Sequence, residues 1–476
     1  MIYDAAVIGA GVTGAAVARE LSARGAKVLL IEKEAEPAFG VSKSNSGIVH
    51  AGTQNPPASL KGRLCVEGNR LIREKLSDEL ALDFRQCGQL IVAFEDSEVP
   101  ALERIKADGE ALGVPGLRLV DRAWLDANEP NLNPAVKAAL LAPTAGMISP
   151  YRFVHALVES ALLHGAELKT GRRVTAIKRA GDAFELTAGG DTFRARYVVN
   201  AAGLYADEVS SLAGAPSFKI SPRKGEEYLL DRKREHIANH IIFPLPSASS
   251  KGILMIKTSD GNPMIGPTAH ETADKEDLST TAAGLEEVLS GARRLVPSVS
   301  AGDIIAYFAG LRPACGKDFV IRREAAAPGF VNAAGIQSPG LTAAPAVAMM
   351  VAELLKSEGL ELDNIDDGAV RRLSPAPRLQ TSTPQEIRRL IEQDPAYGDI
   401  VCRCETVSAA EIRAAVKRGA ATLDGVKFRT RAQAGRCHGG FCTARIMKIM
   451  QEELGLPAAA LTKRGPGSEI VKGERL

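Results

Sequence analysis

The stretch DAAVIGAGVTGAAVARELSARGAKVLLIEKE, residues 4–34, leaves the chain few choices of fold. An apolar run leads into Gly9-Ala-Gly11-Val-Thr-Gly14, an alanine-rich helical pattern follows, Gly25 stops it, and a second apolar run ends on Glu32. This order predicts a βαβ unit. The three glycines serve different ends. Gly9 permits the sharp turn, Gly11 lets the backbone approach a pyrophosphate, and Gly14 lets the helix pack closely on the strand. The helix N-terminus then offers free N–H groups and a positive dipole end to the anion. Glu32, 18 positions past Gly14, is placed to accept from ribose hydroxyls. A bare glycine pattern is weak, but strand, turn, helix and acid in this order point to a dinucleotide.

Two later segments, RARYVVNAAGLYADEV (194–209) and GFVNAAGIQSPGLTAAPAVAMMVAELL (329–355), each read as a buried strand ending in Asn-Ala-Ala-Gly before a helix. Both strands should end near one switch-point crevice. Gly340, Leu341 and Thr342 would open the last helix and aim its dipole at a bound ring, and a flavin edge that turns negative on reduction suits such a helix end. Taken alone, either segment is an ordinary parallel strand and helix.

A chain of 476 residues suggests three domains at a prior of about 150 residues each. With 45% hydrophobic and 24% charged residues, 59 basic against 57 acidic, it has the balance of a globular protein, not of a disordered or nucleic-acid-coating one. AAPAVAMMVAELL falls short of the ~18–20 apolar residues of a membrane-spanning helix, and MIYDAAVIGAG lacks the basic head and cleavage site of a signal peptide. A cytoplasmic location is expected, where thiols stay reduced.

The stretches SNSGIVHAGTQNPPASLKGRLCVEGN (44–69), RKGEEYLL (223–230), DGNPMIGPT (260–268), FAGLRPA (308–314) and GIQSPGLTAAP (335–345) resemble the D-amino-acid-oxidase-type FAD oxidoreductases. Within them the chain is similar to the glycerol-3-phosphate dehydrogenase and L-2-hydroxyglutarate dehydrogenase group. That resemblance implies an α/β fold: a Rossmann-type FAD-binding domain assembled from segments at about 1–80, 145–217 and 320–365. An antiparallel-sheet substrate domain at about 81–144 and 218–319 is inserted in it, the whole ending near 370. FRQCGQLIVAFED and KGEEYLLDR are short β-rich runs that fit that sheet. The cofactor-binding positions it implies are Gly9, Gly11, Val12, Thr13, Gly14, Glu32, Lys33, Ser44, Asn45, Ser46, Gly47, Val174, Ala202, Gly203, Gly310, Gly340, Leu341 and Thr342.

Oxidising a secondary alcohol needs a base for the hydroxyl proton while hydride leaves carbon for the flavin. His50 in SGIVHAG is the candidate base, beside the plainer reading of a histidine that only hydrogen-bonds cofactor or backbone. Arginine offers parallel donors to a carboxylate or phosphate, and Arg312 in FAGLRPA holds the position that borders flavin and substrate in the family. Lys257 and Tyr228 are the other expected substrate contacts. His155 reads as a helix-face residue, and Cys65, Cys87 and Cys315 as small buried hydrophobes.

Four of the seven cysteines fall near the chain's end, in VCRCET (Cys402, Cys404) and GRCHGGFC (Cys437, Cys442). SPAPRLQTSTPQE (374–386) reads as a linker, placed at 371–397, and Ser408 with Glu411 forms a capping box that opens a helix. A second helix, TARIMKIMQEELG, follows Cys442. Disulfides are disfavoured in a reducing compartment; by spacing alone, structural zinc and a [2Fe-2S] cluster remain equal candidates. Residues 398–476 resemble a bacterioferritin-associated-ferredoxin-like (BFD-like) [2Fe-2S] domain, which selects the cluster. Lys427, Arg429, Arg431 and Arg436 are expected either to offset its charge or to form a solvated basic face.

Together these readings imply an FAD and [2Fe-2S] dehydrogenase for a small anionic secondary alcohol, glycerol 3-phosphate first and a 2-hydroxy acid such as L-2-hydroxyglutarate second. Electrons would leave singly to an accessory flavoprotein or a quinone-linked subunit. A proline- or hydroxyproline-type dehydrogenase and a flavoprotein bearing a zinc-bound interaction module are the alternatives.

Overall fold

Helix α1 (Val12–Ala23) lies against strand β1 (Ile2–Ile8) because Gly14 has no side chain: a Cβ there would stand 1.8 Å from the Gly9 carbonyl oxygen. Gly9 itself turns at φ +102°, a conformation that favours glycine. The computed structural model describes residues 1–247, 251–364 and 370–473. The expected boundaries at 365 and 370 touch residues 365–369, which lie outside the described ones.

β1 pairs in parallel with β2 (Val28–Ile31) on one side and β3 (Asp191–Asn200) on the other. β3 pairs in turn with β6 (Phe330–Ala334), and Asn200 stands opposite Asn332. The two Asn-Ala-Ala-Gly strand ends therefore lie side by side, and the Asn200 Nδ2 donates to the Asn332 Oδ1 at 2.7 Å. Both amides are fully buried, so each needs its partners; Asn332 Nδ2 also donates to Ser210 and Glu324. Helices α1, α2 (Leu60–Leu71), α3 (Pro150–Leu163) and α4 (Gly340–Ser357) contribute to the core of this part. Gly68 lets α2 touch α4, since a Cβ would meet the Thr342 carbonyl oxygen at 2.0 Å. Among the described residues α4 is the one helix long and apolar enough to cross a membrane, and 67% of that window is buried inside the protein.

A second sheet has nine strands among the described residues. Its spine is β4 (Ser221–Leu230), paired antiparallel with β5 (Ile304–Ala314) from Ser221 opposite Ala314 to Leu230 opposite Ile304. FRQCGQLIVAFED supplies the strand Gln89–Ala93 and KGEEYLLDR most of β4. One pairing departs from an antiparallel sheet: Ile241–Pro244 runs parallel to Gln89–Ala93. No tight turn joins these two strands, which come from distant stretches of chain, so nothing forces the antiparallel sense.

Near the chain's end, a short hairpin (Ile400–Cys402 with Val407–Ser408) precedes α5 (Ala409–Lys417), α6 (Leu423–Thr430) and α7 (Thr443–Leu454). The capping box at Ser408 and Glu411 forms as the spacing predicts. Ile412, Val426, Ile446 and Met450 make a separate, fully buried core. The segment read as linker is more ordered than expected: Thr383 and Glu386 form a capping box that starts a helix over Pro384–Gln393. Its Ser, Thr and Pro are helix-start residues as much as spacer residues.

This small helical unit is seated by buried charge. Asp260, in the turn before Pro263–Gly266, accepts from Arg152 of α3 at 2.7 Å, from Arg378 at 3.1 Å and from Arg431 at 3.2 Å. Arg431 also donates to Glu405 at 2.9 Å and to Asn262 at 2.9 Å. The basic residues expected to offset a cluster are mostly committed to this docking: burial requires Arg429 and Arg431 to be paired, and the exposed Arg436 adds a surface pair. Arg429 bonds Glu36, Arg431 bonds Asp260 and Glu405, and Arg436 bonds Asp231 at 2.9 Å. Asp260→Ala, which removes the carboxylate that three guanidiniums share, should cost about 3–5 kcal/mol, read as a lower urea midpoint; an unchanged midpoint would show that the cluster holds nothing together.

Candidate functional site: a flavin-sized cavity with a cationic end

A cavity of about 1060 Å³ opens at the carboxyl ends of β1, β3 and β6 and reaches β4 and β5 of the second sheet. That exceeds the roughly 300–1,000 Å³ of most small-molecule pockets. Of the expected cofactor positions, Gly9, Gly11, Val12, Thr13, Glu32, Lys33, Ser44, Asn45, Ser46, Val174, Ala202, Gly203, Gly310, Gly340 and Leu341 line it, with His50 and Arg312. Gly14, Gly47 and Thr342 lie behind its wall. Gly47 turns at φ +82°, where a Cβ would meet the Ile148 carbonyl oxygen at 2.3 Å, and the Thr342 Oγ1 accepts from the His50 N–H at 2.9 Å.

At the dinucleotide end, Glu32 is fixed by two backbone donors, Ala10 N–H at 2.7 Å and Glu34 N–H at 2.9 Å. Its carboxyl pKa is nonetheless raised, because burial outweighs those bonds. Ser42 Oγ accepts from the Val12 N–H at 2.9 Å, so one donor of the helix N-terminus already has a partner. At the other end, Gly310 approaches Ser44 so closely that a Cβ would stand 2.6 Å from its Oγ. Gln54, Arg312 and Glu227 each keep buried polar atoms without a partner among the described residues along this wall. Glycine-lined backbone at one end and unpaired polar groups at the other fit a flavin dinucleotide and a polar substrate.

The expected contacts Tyr228 and Lys257 are corrected by the structure. Neither lines the cavity: Tyr228 packs on Tyr307, with ring centroids 6.4 Å apart, and Lys257 stands opposite Pro263 in the second sheet. Strand alternation explains Tyr228, since its neighbour Glu227 takes the inward face of β4. A lysine that does line the cavity is Lys251, whose Nζ lies 3.5 Å from the Ser338 Oγ; the His50 Nε2 lies 3.4 Å from the same oxygen. Arg312 is anchored on the Thr268 carbonyl at 3.1 Å with its Nη1 unpartnered among the described residues.

Burial, then the Lys251 charge, hold the His50 pKa well below its ordinary value, so the ring is neutral at pH 7. Burial brings Lys251 down to about 8. Burial also pushes Glu227 up to about 7, against the Arg312 charge and a 3.3 Å hydrogen bond from Ser46. Lys251 and Glu227 escaped sequence reading. Lys251 carries no periodic signal, whereas the Glu226-Glu227 pair does: on a strand adjacent residues face opposite ways, and Glu226 instead accepts from the Thr281 N–H at 2.7 Å.

All seven cysteines are free thiols. Cys404 and Cys437 stand 3.7 Å apart, near the sulfur–sulfur edge of about 3.8 Å set by tetrahedral metal–sulfur bonds of about 2.3 Å. Cys442 hydrogen-bonds to Cys402, which draws the Cys402 thiol down to about 6 and pushes the Cys442 thiol up. Among the described residues no three His, Cys, Asp or Glu side chains gather closely enough to hold one ion. Two thiol pairs suit two irons with two thiolates each.

Glu227 generates a pH test. Its folded pKa lies above its unfolded one, so the native state binds the extra proton and loses stability as pH rises from about 4.5 to 7. In flavin-free protein, Glu227→Gln should be more stable than wild type at pH 8 by up to about 3 kcal/mol and equal to it near pH 4. Parallel urea-unfolding curves at both pH values would refute the buried carboxyl.

Comparison with known proteins agrees with this geometry. The family model "FAD dependent oxidoreductase" (DAO) matches residues 4–354, and "BFD-like [2Fe-2S] binding domain" matches residues 400–452. A glycerol 3-phosphate dehydrogenase of Caloramator mitchellensis is 38% identical over 99% of this chain and 98% of its own length. A mitochondrial L-2-hydroxyglutarate dehydrogenase of Nematostella vectensis is 30% identical over 66% of this chain and 73% of its own. The FAD-bound L-α-glycerophosphate oxidase structure from Mycoplasma pneumoniae superposes with a TM-score of 0.74 at 29% identity, covering 79% of this chain and all of that one. With the glycine turn, the paired strand ends and the thiol pairs already in place, the chain belongs to the DAO-type FAD-dependent oxidoreductases and carries a BFD-like [2Fe-2S]-binding domain behind that fold.

Proposed function

We propose that the protein is an FAD-dependent glycerol-3-phosphate dehydrogenase that passes electrons through a [2Fe-2S] cluster to an external acceptor. The observation that carries this reading is the cationic end of the cavity, which Lys251 and Arg312 line beside the Glu227 carboxyl, whose pKa is raised to about 7, so that the two cations outweigh it. A doubly charged phosphate monoester matches two such cations, and arginine adds a fork of donors. The likeness to the Caloramator glycerol 3-phosphate dehydrogenase supports the same choice.

FAD, when bound, supplies the hydride acceptor. The protein's own part is to hold the anion and move a proton. Lys251, Ser338 and Arg312 would fix the phosphate. Neutral His50 would take the hydroxyl proton at Nε2, the nitrogen that faces Ser338. Its ring is held from behind by the main chain: His50 N–H donates to Thr342, and the His50 carbonyl accepts from Asn69 Nδ2 at 3.1 Å. Phe243, at 6.0 Å between ring centroids, helps keep water from it.

The path outward is supported by β5. His438, between Cys437 and Cys442 in the sequence, bonds the Ile305 carbonyl at 2.9 Å, and Gly310 on the same strand lies against Ser44 in the cavity. Five strand residues span about 17 Å, a short route between the cysteine loop and the flavin end. An accessory flavoprotein or quinone-linked subunit as acceptor is part of the proposal. A second reading, L-2-hydroxyglutarate, rests on the same two cations, each suited to one carboxylate, and on the Nematostella relative.

Anaerobic addition of glycerol 3-phosphate should bleach the flavin faster than L-2-hydroxyglutarate or proline. Lys251→Met and Arg312→Lys should raise KM for glycerol 3-phosphate by about 100-fold, and His50→Asn should slow flavin reduction by about 10²–10⁴-fold. Bleaching by L-2-hydroxyglutarate or proline alone would overturn the substrate assignment, and an unaffected His50→Asn would remove the base.

A further inference from the structure

The loop that follows Glu32 has two faces. Its inner face belongs to the dinucleotide end of the cavity, through Lys33, Glu34, Phe39, Ser42 and Lys43. Its outer face is held by the iron–sulfur domain. Glu36 is 1% exposed, and its Oε1 accepts from the Ala421 and Thr422 N–H groups at 2.9 Å each and from the Thr422 hydroxyl at 3.0 Å. Its Oε2 accepts from Arg429 at 2.6 Å. A carboxylate of the FAD part thus sits at the N-terminus of α6, where the helix dipole favours it. Gly425 makes room, for a Cβ there would stand 1.8 Å from Glu36 Oε1. Phe39 lies edge-on to Phe428 of the same helix, with centroids 5.7 Å apart.

A second contact reaches the cavity itself. The turn at 462–469 is closed by the Thr462–Glu469 bridge and bonded to the start of α6, Leu423 N–H to Thr462 O at 3.1 Å and Asp424 N–H to Lys463 O at 2.8 Å. Gly465 at its tip stands where a Cβ would meet Ala35 at 2.9 Å. Arg464, next to it, lines the dinucleotide cavity together with Lys33 and Lys43. Its charge, after burial, helps hold the Lys43 pKa down. Glu34 on the same wall is ion-paired with Lys33, which leaves Lys43 and Arg464 as like charges that an anion between them would stabilise. Arg464 has a looser protein partner, Asp424 at 3.8 Å, and Lys463 occupies that same carboxylate at 3.0 Å.

We propose that Arg464, brought in by the iron–sulfur domain, is a binding residue for the anionic part of the FAD dinucleotide, and that Glu36 is the positioning residue that keeps it there. One loop therefore joins two equilibria. Whatever orders residues 33–43 around the dinucleotide also presents Glu36 and Phe39 to α6, and the seated domain presents Arg464 to the dinucleotide. Linkage makes the coupling reciprocal: seating tightens FAD, and FAD strengthens seating. Nothing in this depends on which alcohol is oxidised.

The test uses the full-length chain with its cluster reconstituted, and FAD titrated into the flavin-free form by fluorescence. Arg464→Ala should weaken FAD binding about tenfold at low salt, the gap closing as salt is raised because the side chain is 55% exposed. Arg464→Lys should recover most of the loss, Asp424→Asn should leave affinity unchanged or tighten it, and Glu36→Gln should weaken it. Amide exchange at 421–430 and 462–469 should slow when FAD is added, less so in Arg464→Ala. An FAD affinity within twofold of wild type for Arg464→Ala would overturn the proposal. So would an Asp424→Asn variant that matches Arg464→Ala, or exchange in these segments that ignores FAD.

Discussion

The carboxylate of Asp260 gathers one guanidinium from each of three parts of the chain: Arg152 from helix α3, Arg378 from the connecting segment and Arg431 from the iron–sulfur domain. Its side chain is 3% exposed, so the group is ionised only because three cations surround it, and these hold its pKa far below the ordinary carboxylate range. The stabilisation is present above the unfolded pKa and is lost progressively as pH falls from there toward the folded one. Such a cluster contributes less to net stability than to registry, since any other seating would leave a buried charge unpaired. Arg431 adopts φ +71°, a strained conformation for a non-glycine residue, and its bonds to Asp260, Glu405 and Asn262 hold it there. Glu405 is the residue after Cys404, so the seat of the domain and the thiol loop are set by one side chain.

That registry gives the cavity its meaning. At one end, backbone N–H groups, glycines and the α1 terminus suit a pyrophosphate. At the other, a neutral imidazole, a lysine and an arginine sit where the second sheet closes over the strand ends. Strands β4 and β5 join this end to the cysteine loop, through Arg312 and Gly310 on one side, and Asp231 bonded to Arg436 and Ile305 bonded to His438 on the other. The second sheet is at once a wall of the cavity and the platform for the thiols.

Much of this is legible in the residues. The glycine turn and Glu32 identify their unit because strand, glycines, helix and acid follow in one order, and the repeated Asn-Ala-Ala-Gly marks two strand ends that do lie together. The capping box at Ser408 and Glu411 is equally readable, being a local exchange of hydrogen bonds. What fails is non-local. Lys257 stands out in the sequence where Lys251 does not, because sequence cannot say which turn of the second sheet folds over the crevice. Tyr228 displaces Glu227 in the same way although strand alternation distinguishes them, as the inward face is fixed only by pairing with β5. The basic run before Cys437 resembles a solvated or cluster-facing patch; three of its acids, Glu36, Asp231 and Asp260, lie 171 or more positions away along the chain. The Ser/Thr/Pro-rich connector hides a helix start because the same residues serve turns and caps.

The proposed function requires an alcohol-reducible flavin and a one-electron centre to be held in a fixed relation within one chain. Freeze-quenched electron paramagnetic resonance of the fully loaded protein, mixed anaerobically with glycerol 3-phosphate, tests it most directly. The expected result is a reduced [2Fe-2S] signal that rises after flavin absorbance begins to fall, within a single turnover and independent of protein concentration. A flavin that is reduced while the cluster stays oxidised, or whose cluster is reduced only at a rate that scales with protein concentration, would contradict it.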